Sequence, residues 1–122
     1  MEKTLLDHIH YFRIPVIDLK ASIEWYTTCL RLNLRFSNNE LAVLELRSGP
    51  LLVLVVADKE SRGHFTINGH SEFSIGFTTS KITEIHQRLI ERGVHVESIL
   101  KDNGHDYFFF YDPSGNKLQV HN

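Results

Sequence analysis

The hydrophobic pattern switches between a period of two and a period of 3.6, and it does so twice in the same order. His8 to Val16 alternates and predicts a strand. Asp18 then offers a carboxylate to cap a helix whose positions Leu19, Ile23, Tyr26 and Leu30 form one apolar stripe. Three short strands are predicted next, over Leu32 to Ser37, Glu40 to Arg47 and Leu51 to Ala57, with turns at Asn38-Asn39 and Ser48-Gly49-Pro50. Asp58 to Gly69 is polar and reads as a crossing loop. The order then returns. Glu72 to Thr78 predicts a strand, and Ser80 can cap a second helix with Ile82, Ile85 and Leu89 on its inner face. Arg88 and Arg92 sit near its negative end, and Gly93 is a left-handed terminator. Strands follow over Val94 to Leu100, Asp106 to Tyr111 and Asn116 to His121, and Asp112-Pro113-Ser114-Gly115 has the residues of a type I turn.

Two successive βαβββ units are an internal repeat. Ser48-Gly49 before the fourth strand matches Ser114-Gly115 before the last, and Ile14 before the first helix matches Phe77 before the second. The fold class is therefore α+β. Two tandem modules, about 7–57 and 71–122 within one domain of residues 1–122, would curl a partly open mixed sheet into a cup with the helices outside.

Strand parity divides the side chains between the two faces. Tyr11, Arg13, Val43, Glu45, Leu51, Val53, Val55, Ser74, Gly76, Thr78, Tyr107, Phe109, Tyr111 and Gln119 fall inside the cup. Phe12, Phe73, Phe77, Phe108, Phe110, Leu118 and Val120 fall on the helix side. An interior that is apolar and aromatic with a few polar groups suits a small-molecule pocket. Arg13 and Glu45 stand out as charges. Arg13 can bind a ligand carboxylate or phosphate with Glu45 orienting it, or the two can form a structural ion pair at the rim. Glu45 and Tyr11 are the candidate catalytic groups, Glu45 as a general base. Trp25 reads as packing or a contact between copies, and Cys29 as buried filler.

Composition narrows the classes. The chain has 122 residues, a formal charge of -2 and no basic block, so nucleic-acid binding has no electrostatic footprint. Cys29 is the lone cysteine, which excludes an internal disulfide and suits a reducing, cytoplasmic compartment. Met1 to Asp7 has no long apolar region, and Leu51 to Ala57 is too short to span a bilayer, so neither a signal peptide nor a membrane partner is expected.

Three segments carry a resemblance. FRIPVIDLKASIEWY (Phe12 to Tyr26), ITEIHQRLIERGV (Ile82 to Val94) and YDPSGNKLQVH (Tyr111 to His121) resemble the vicinal oxygen chelate superfamily in order and spacing. That superfamily includes glyoxalase I, bleomycin resistance proteins, fosfomycin resistance enzymes and extradiol dioxygenases. The resemblance implies a homodimer, in some members with each cup shared between chains. It also implies a divalent metal held by one side chain from each of four cup strands. Those positions are here Tyr11, Val53, Ser74 and Gln119, and the position of the extradiol tyrosine is Phe109. Valine, serine and a neutral amide make a poor site for a divalent metal. The weak alternatives are His10, whose parity places it on the helix face, and His121, which shares the parity of Lys117 and Gln119. His8 lies on the same face as His10, and His64, His70, His86, His95 and His105 read as surface groups. The resemblance therefore points to a metal-free, bleomycin-resistance-like protein that binds a small molecule through Tyr11, Arg13, Glu45, Val53, Ser74, Tyr107, Phe109, Tyr111 and Gln119. The alternative is a metal-dependent lyase, thiol transferase or dioxygenase with a non-standard ligand set.

Overall fold

In the computed structural model, which describes residues 2–122, the first pass of the pattern becomes β1 (Tyr11–Val16), α1 (Leu19–Cys29), β2 (Asn33–Ser37), β3 (Leu41–Glu45) and β4 (Leu51–Val56). They form a mixed sheet in the order β1-β4-β3-β2, with β1 parallel to β4. A two-stranded hairpin, β5 (Thr66–Ile67) and β6 (His70–Ser71), interrupts the crossing segment. The second pass gives β7 (Gly76–Thr78), α2 (Ile82–Glu91), β8 (Leu100–Asp102), β9 (His105–Tyr111) and β10 (Lys117–His121), ordered β7-β10-β9-β8 with β7 parallel to β10. Two helices and two four-stranded mixed sheets of the same topology make up the α+β repeat that the sequence predicts.

The first helix begins as its residues dictate. Asp18 is the N-cap, and its side chain accepts a hydrogen bond from the Ala21 amide at 3.0 Å. The second does not begin at Ser80. Lys81 is its N-cap, with no side-chain bond, while Thr79 takes the Lys81 amide onto its hydroxyl. The expected strand from His8 is shorter because its partner β4 starts only at Leu51, after Pro50. The last bond on that side is Leu51 N–H to the His10 carbonyl. The crossing loop and the expected strand over Val94 to Leu100 differ for a shared reason. Asn68-Gly69 and Asn103-Gly104 all have positive φ, and each dipeptide forms a two-residue hairpin turn. The second of these moves β8 to Leu100–Asp102, leaving Val96 as a single bridge to Phe110.

Burial alternates along β3, β9 and β10. Ala42, Leu44, Leu52, Leu54, Phe108, Phe110, Leu118 and Val120 are buried beneath the helices, and one apolar core runs through both modules. The buried line of α1 is Ser22, Tyr26 and Cys29, while Leu19, Ile23 and Leu30 flank it half-buried. Phe12 points to the helix side but remains 39% exposed at the open start of β1. Trp25 packs edge-on to Tyr26 and stacks along Phe110 of the second module, with centroids 6.2 Å apart.

The turn between β9 and β10 ties the modules together. The Asp112 carboxylate is buried and accepts from the Tyr26 hydroxyl (2.7 Å), the Asn116 side-chain amide (2.8 Å) and the Ser114 and Asn116 backbone amides (2.9 Å each). Asn116 also donates to the Pro15 carbonyl, and Ser114 accepts from the Ile17 amide. Pro15 lies on the free edge of β1 and Ile17 directly follows that strand. Burial, then the Asp112 charge, pushes the Tyr26 phenol well above its ordinary value, so it stays a donor.

His64 adds a pH-sensitive joint. Its Nδ1 accepts from the Lys117 amide at 2.9 Å, which requires the unprotonated nitrogen. Burial, then the charges of Arg62 and Lys117, lowers its pKa. The folded state therefore binds fewer protons here than the unfolded chain. The stability from this group is complete above about pH 6.5, the ordinary imidazole value, and is lost as pH falls through the lower folded value. A His64→Asn variant, whose amide oxygen can replace Nδ1, is expected to flatten this part of the profile. Thermal denaturation of both proteins between about pH 5 and 7 reads the difference.

Candidate functional site

Each sheet has one face under its helix and one open face. The open face of the first carries Tyr11 and Arg13 from β1, Val43 and Glu45 from β3, and Leu51, Val53 and Val55 from β4. Arg13 and Val43 flank Val53 in register, which buries Val53 to 8% exposure in the middle of the face. Glu45 does not meet Arg13. It lies 3.8 Å from the Nε of Arg35, which stands two residues along β2 from Asn33, the partner of Glu45. Arg13 makes no hydrogen bond or ion pair among the described residues. Arg35 was not among the residues singled out from the sequence, where no face was assigned to the second strand.

The open face of the second sheet is aromatic. Tyr107 meets Phe109 edge-on at 5.8 Å, and the Lys117 ammonium lies 4.4 Å above the Phe109 ring while donating to the Ser71 carbonyl. Tyr111 stacks on His95 and donates its hydroxyl to Glu97 at 3.0 Å. Burial, then that hydrogen bond, raises the Tyr111 pKa and keeps it a donor. Phe73 was expected under the helix. The chain bends at Ser74, and Phe73 instead packs on Phe109, with centroids 5.5 Å apart. Ser74 is exposed at that bend. Gly76 leaves room between them: a Cβ there would come within 3.0 Å of the Gln119 amide oxygen and 3.5 Å of Phe73. His86 and His64, read as surface groups, are half-buried. His86 donates from Nε2 to the Glu97 carbonyl, and His64 is the joint described above.

The four positions that the resemblance assigns to a metal occupy equivalent places in the two sheets. Val53 pairs with Arg13, two residues beyond Tyr11, and Gln119 pairs with Gly76, two residues beyond Ser74. Their chemistry does not fit a divalent cation: a phenol, an isopropyl group, an exposed hydroxyl and a neutral amide. Among the described residues no three His, Cys, Asp or Glu side chains are gathered to hold a metal ion. His10 lies edge-on to Tyr11 and 6.4 Å from His8 between ring centroids, and His121 contacts the Asn122 carbonyl through Nδ1.

The open faces do not close on one another through any hydrogen bond or ring contact among the described residues. Among the described residues the ring and cation-π contacts of the second face are with one another and with the neighbouring Lys117 and His95, and the ring contact of Tyr11 is with His10. Contacts between modules lie elsewhere, at the turn 112–116, at Trp25, and where Arg88 donates to the Thr28 and Cys29 carbonyls at the end of α1. Among the described residues no helix is long and apolar enough to cross a membrane.

The sequence profile of the Glyoxalase/Bleomycin resistance protein/Dioxygenase superfamily matches residues 7–120. A comparison with curated protein sequences finds no match. Among solved structures, a glyoxalase family protein from Enterococcus faecalis superposes with a TM-score of 0.78 at 21% identity, covering 98% of this chain and 100% of that one. TnmS3, an antibiotic binding protein from Streptomyces sp. CB03234, gives 0.80 at 21% identity, covering 97% of each. A lactoylglutathione lyase from Agrobacterium tumefaciens gives 0.71 at 18% identity, covering 97% and 95%. At these identities the likeness is one of fold.

Proposed function

The chain belongs to the glyoxalase/bleomycin resistance protein/dioxygenase superfamily, and on that premise we propose that it binds a small molecule in a cup, without a resident metal, as a homodimer. The observation that carries this reading is the pair of open faces. One presents aliphatic and charged groups and the other presents a set of half-exposed rings, a complementary lining for an organic molecule. Neither face is covered by the other among the described residues. In a homodimer the first face of one copy would stand against the second face of its partner. Tyr11, Arg13, Glu45 and Val53 would then come from one chain, and Ser74, Tyr107, Phe109, Tyr111 and Gln119 from the other. The cytoplasm, a reducing compartment, suits the buried lone thiol of Cys29.

Binding rather than turnover is the function assigned. Glu45 is engaged by Arg35, and Tyr11 donates to no base among the described residues. The fold shared with an antibiotic binding protein is compatible with that role. The donor chemistry at Tyr11, Val53, Ser74 and Gln119 supports the metal-free part. Protein incubated with manganese, iron, nickel and zinc, then gel-filtered, is expected to retain far less than one metal per chain by elemental analysis. One tightly held metal per chain would contradict the reading.

A further inference from the structure

At the end of the first sheet, where β1 begins, β3 ends and β4 begins, lies a cavity of about 600 Å³. Arg35, Arg47, Glu45, His8 and His10 supply its polar wall, and the turn at Ser48-Gly49 closes one side. Gly49 has φ +87°, and nothing lies within 4 Å of where its Cβ would be, so that wall opens onto space. The charges are unbalanced, with two guanidinium groups against one carboxylate. Glu45 occupies only the Nε side of Arg35, at 3.8 Å, which leaves the Nη donors without an acceptor among the described residues. Arg47 makes no ion pair or side-chain hydrogen bond there either. Leu51, which also lines the cavity, continues along β4 into Val53 and Val55 of the open face.

We propose that this cavity is a carboxylate subsite, so that the ligand is a small organic acid with its acid group between Arg35 and Arg47 and its apolar body along the open face. A planar guanidinium fork matches a carboxylate in two parallel hydrogen bonds. A monoanion balances the surplus charge, whereas a dianion would meet the Glu45 carboxylate beside Arg35. The placement of the ligand body rests on the cup reading above; the subsite stands on the cavity itself.

The test is a two-dimensional amide NMR titration with 2-naphthoate and its uncharged analogue 2-naphthalenemethanol. It uses the intact chain and an Arg35→Gln/Arg47→Gln variant, both of which change exposed side chains. The Ser48 and Gly49 amides are expected to shift saturably with 2-naphthoate. Affinity is expected to fall at least about tenfold in the variant and about tenfold for the alcohol. Equal affinity in the variant, equal affinity for the alcohol, or no saturable shift would overturn the subsite. Shifts at Tyr107 and Phe109 without any at Ser48 and Gly49 would overturn the subsite and leave the cup reading standing. Shifts at Ser48 and Gly49 that the variant weakens, with none at Tyr107 and Phe109, would uphold the subsite and count against the cup.

Discussion

Replacing Asp112 by alanine is expected to cost about 3–5 kcal/mol of folding stability, roughly 10–20 °C in Tm. The side chain is buried and accepts four hydrogen bonds, one of them from the wholly buried Tyr26 hydroxyl. Alanine strands those donors in a space too enclosed for bulk water, and a buried unsatisfied donor costs about 1–3 kcal/mol. The loss should exceed that sum's local part, because the same turn holds the free edge of β1 through Asn116 and Ser114. Asp112→Asn is the informative control. It keeps one oxygen for the backbone amides but turns an NH₂ toward Tyr26 and the Asn116 amide, so an intermediate loss is expected. Urea denaturation followed by Trp25 fluorescence measures both. A loss under 1 kcal/mol for Asp112→Ala would mean that the turn does not join the modules as described.

Phe110→Ala is expected to cost a comparable amount, about 3–5 kcal/mol, by a different route. The ring is fully buried and meets Trp25 on one module and Phe77 and Phe108 on the other. Its removal leaves a cavity at the point where the two helix-side cores become one. Trp25 is the only tryptophan, and its emission should shift to the red as its stacking partner disappears. Phe110→Leu, which keeps most of the volume, should cost much less, since cost follows the cavity left behind. Denaturant unfolding separates the two variants. Equal losses would show that ring stacking, rather than filled volume, holds this junction.

Much of this architecture can be read in the residues because local and global signals agree. Asp18 caps α1, Asp112-Pro113-Ser114-Gly115 turns between β9 and β10, and the alternation along β9 places Phe108 and Phe110 beneath the helices. Where the reading departs from the structure, a single residue interrupts a period. Asn68-Gly69 and Asn103-Gly104 are hairpin signals written plainly in the chain, yet they sit in polar stretches that pattern alone assigns to loops or overlooks. The bend at Ser74 breaks the alternation and brings Phe73 onto the open face, and the slip between Leu34 and Phe36 changes the register of β2 on β3. A bulge or bend changes which face the side chains on one side of it take, and no residue type marks it.

The open faces are the centre of the account, because on the proposed reading each is half a lining that a second copy completes. The most direct measurement is sedimentation velocity over a dilution series, with the dye 8-anilinonaphthalene-1-sulfonate detected alongside the protein. The account predicts that dye travels with a species of twice 14.2 kDa and leaves the protein as dilution produces single chains. Dye bound equally well to the single chain, or a chain that never dimerises, would contradict a cup shared between two copies.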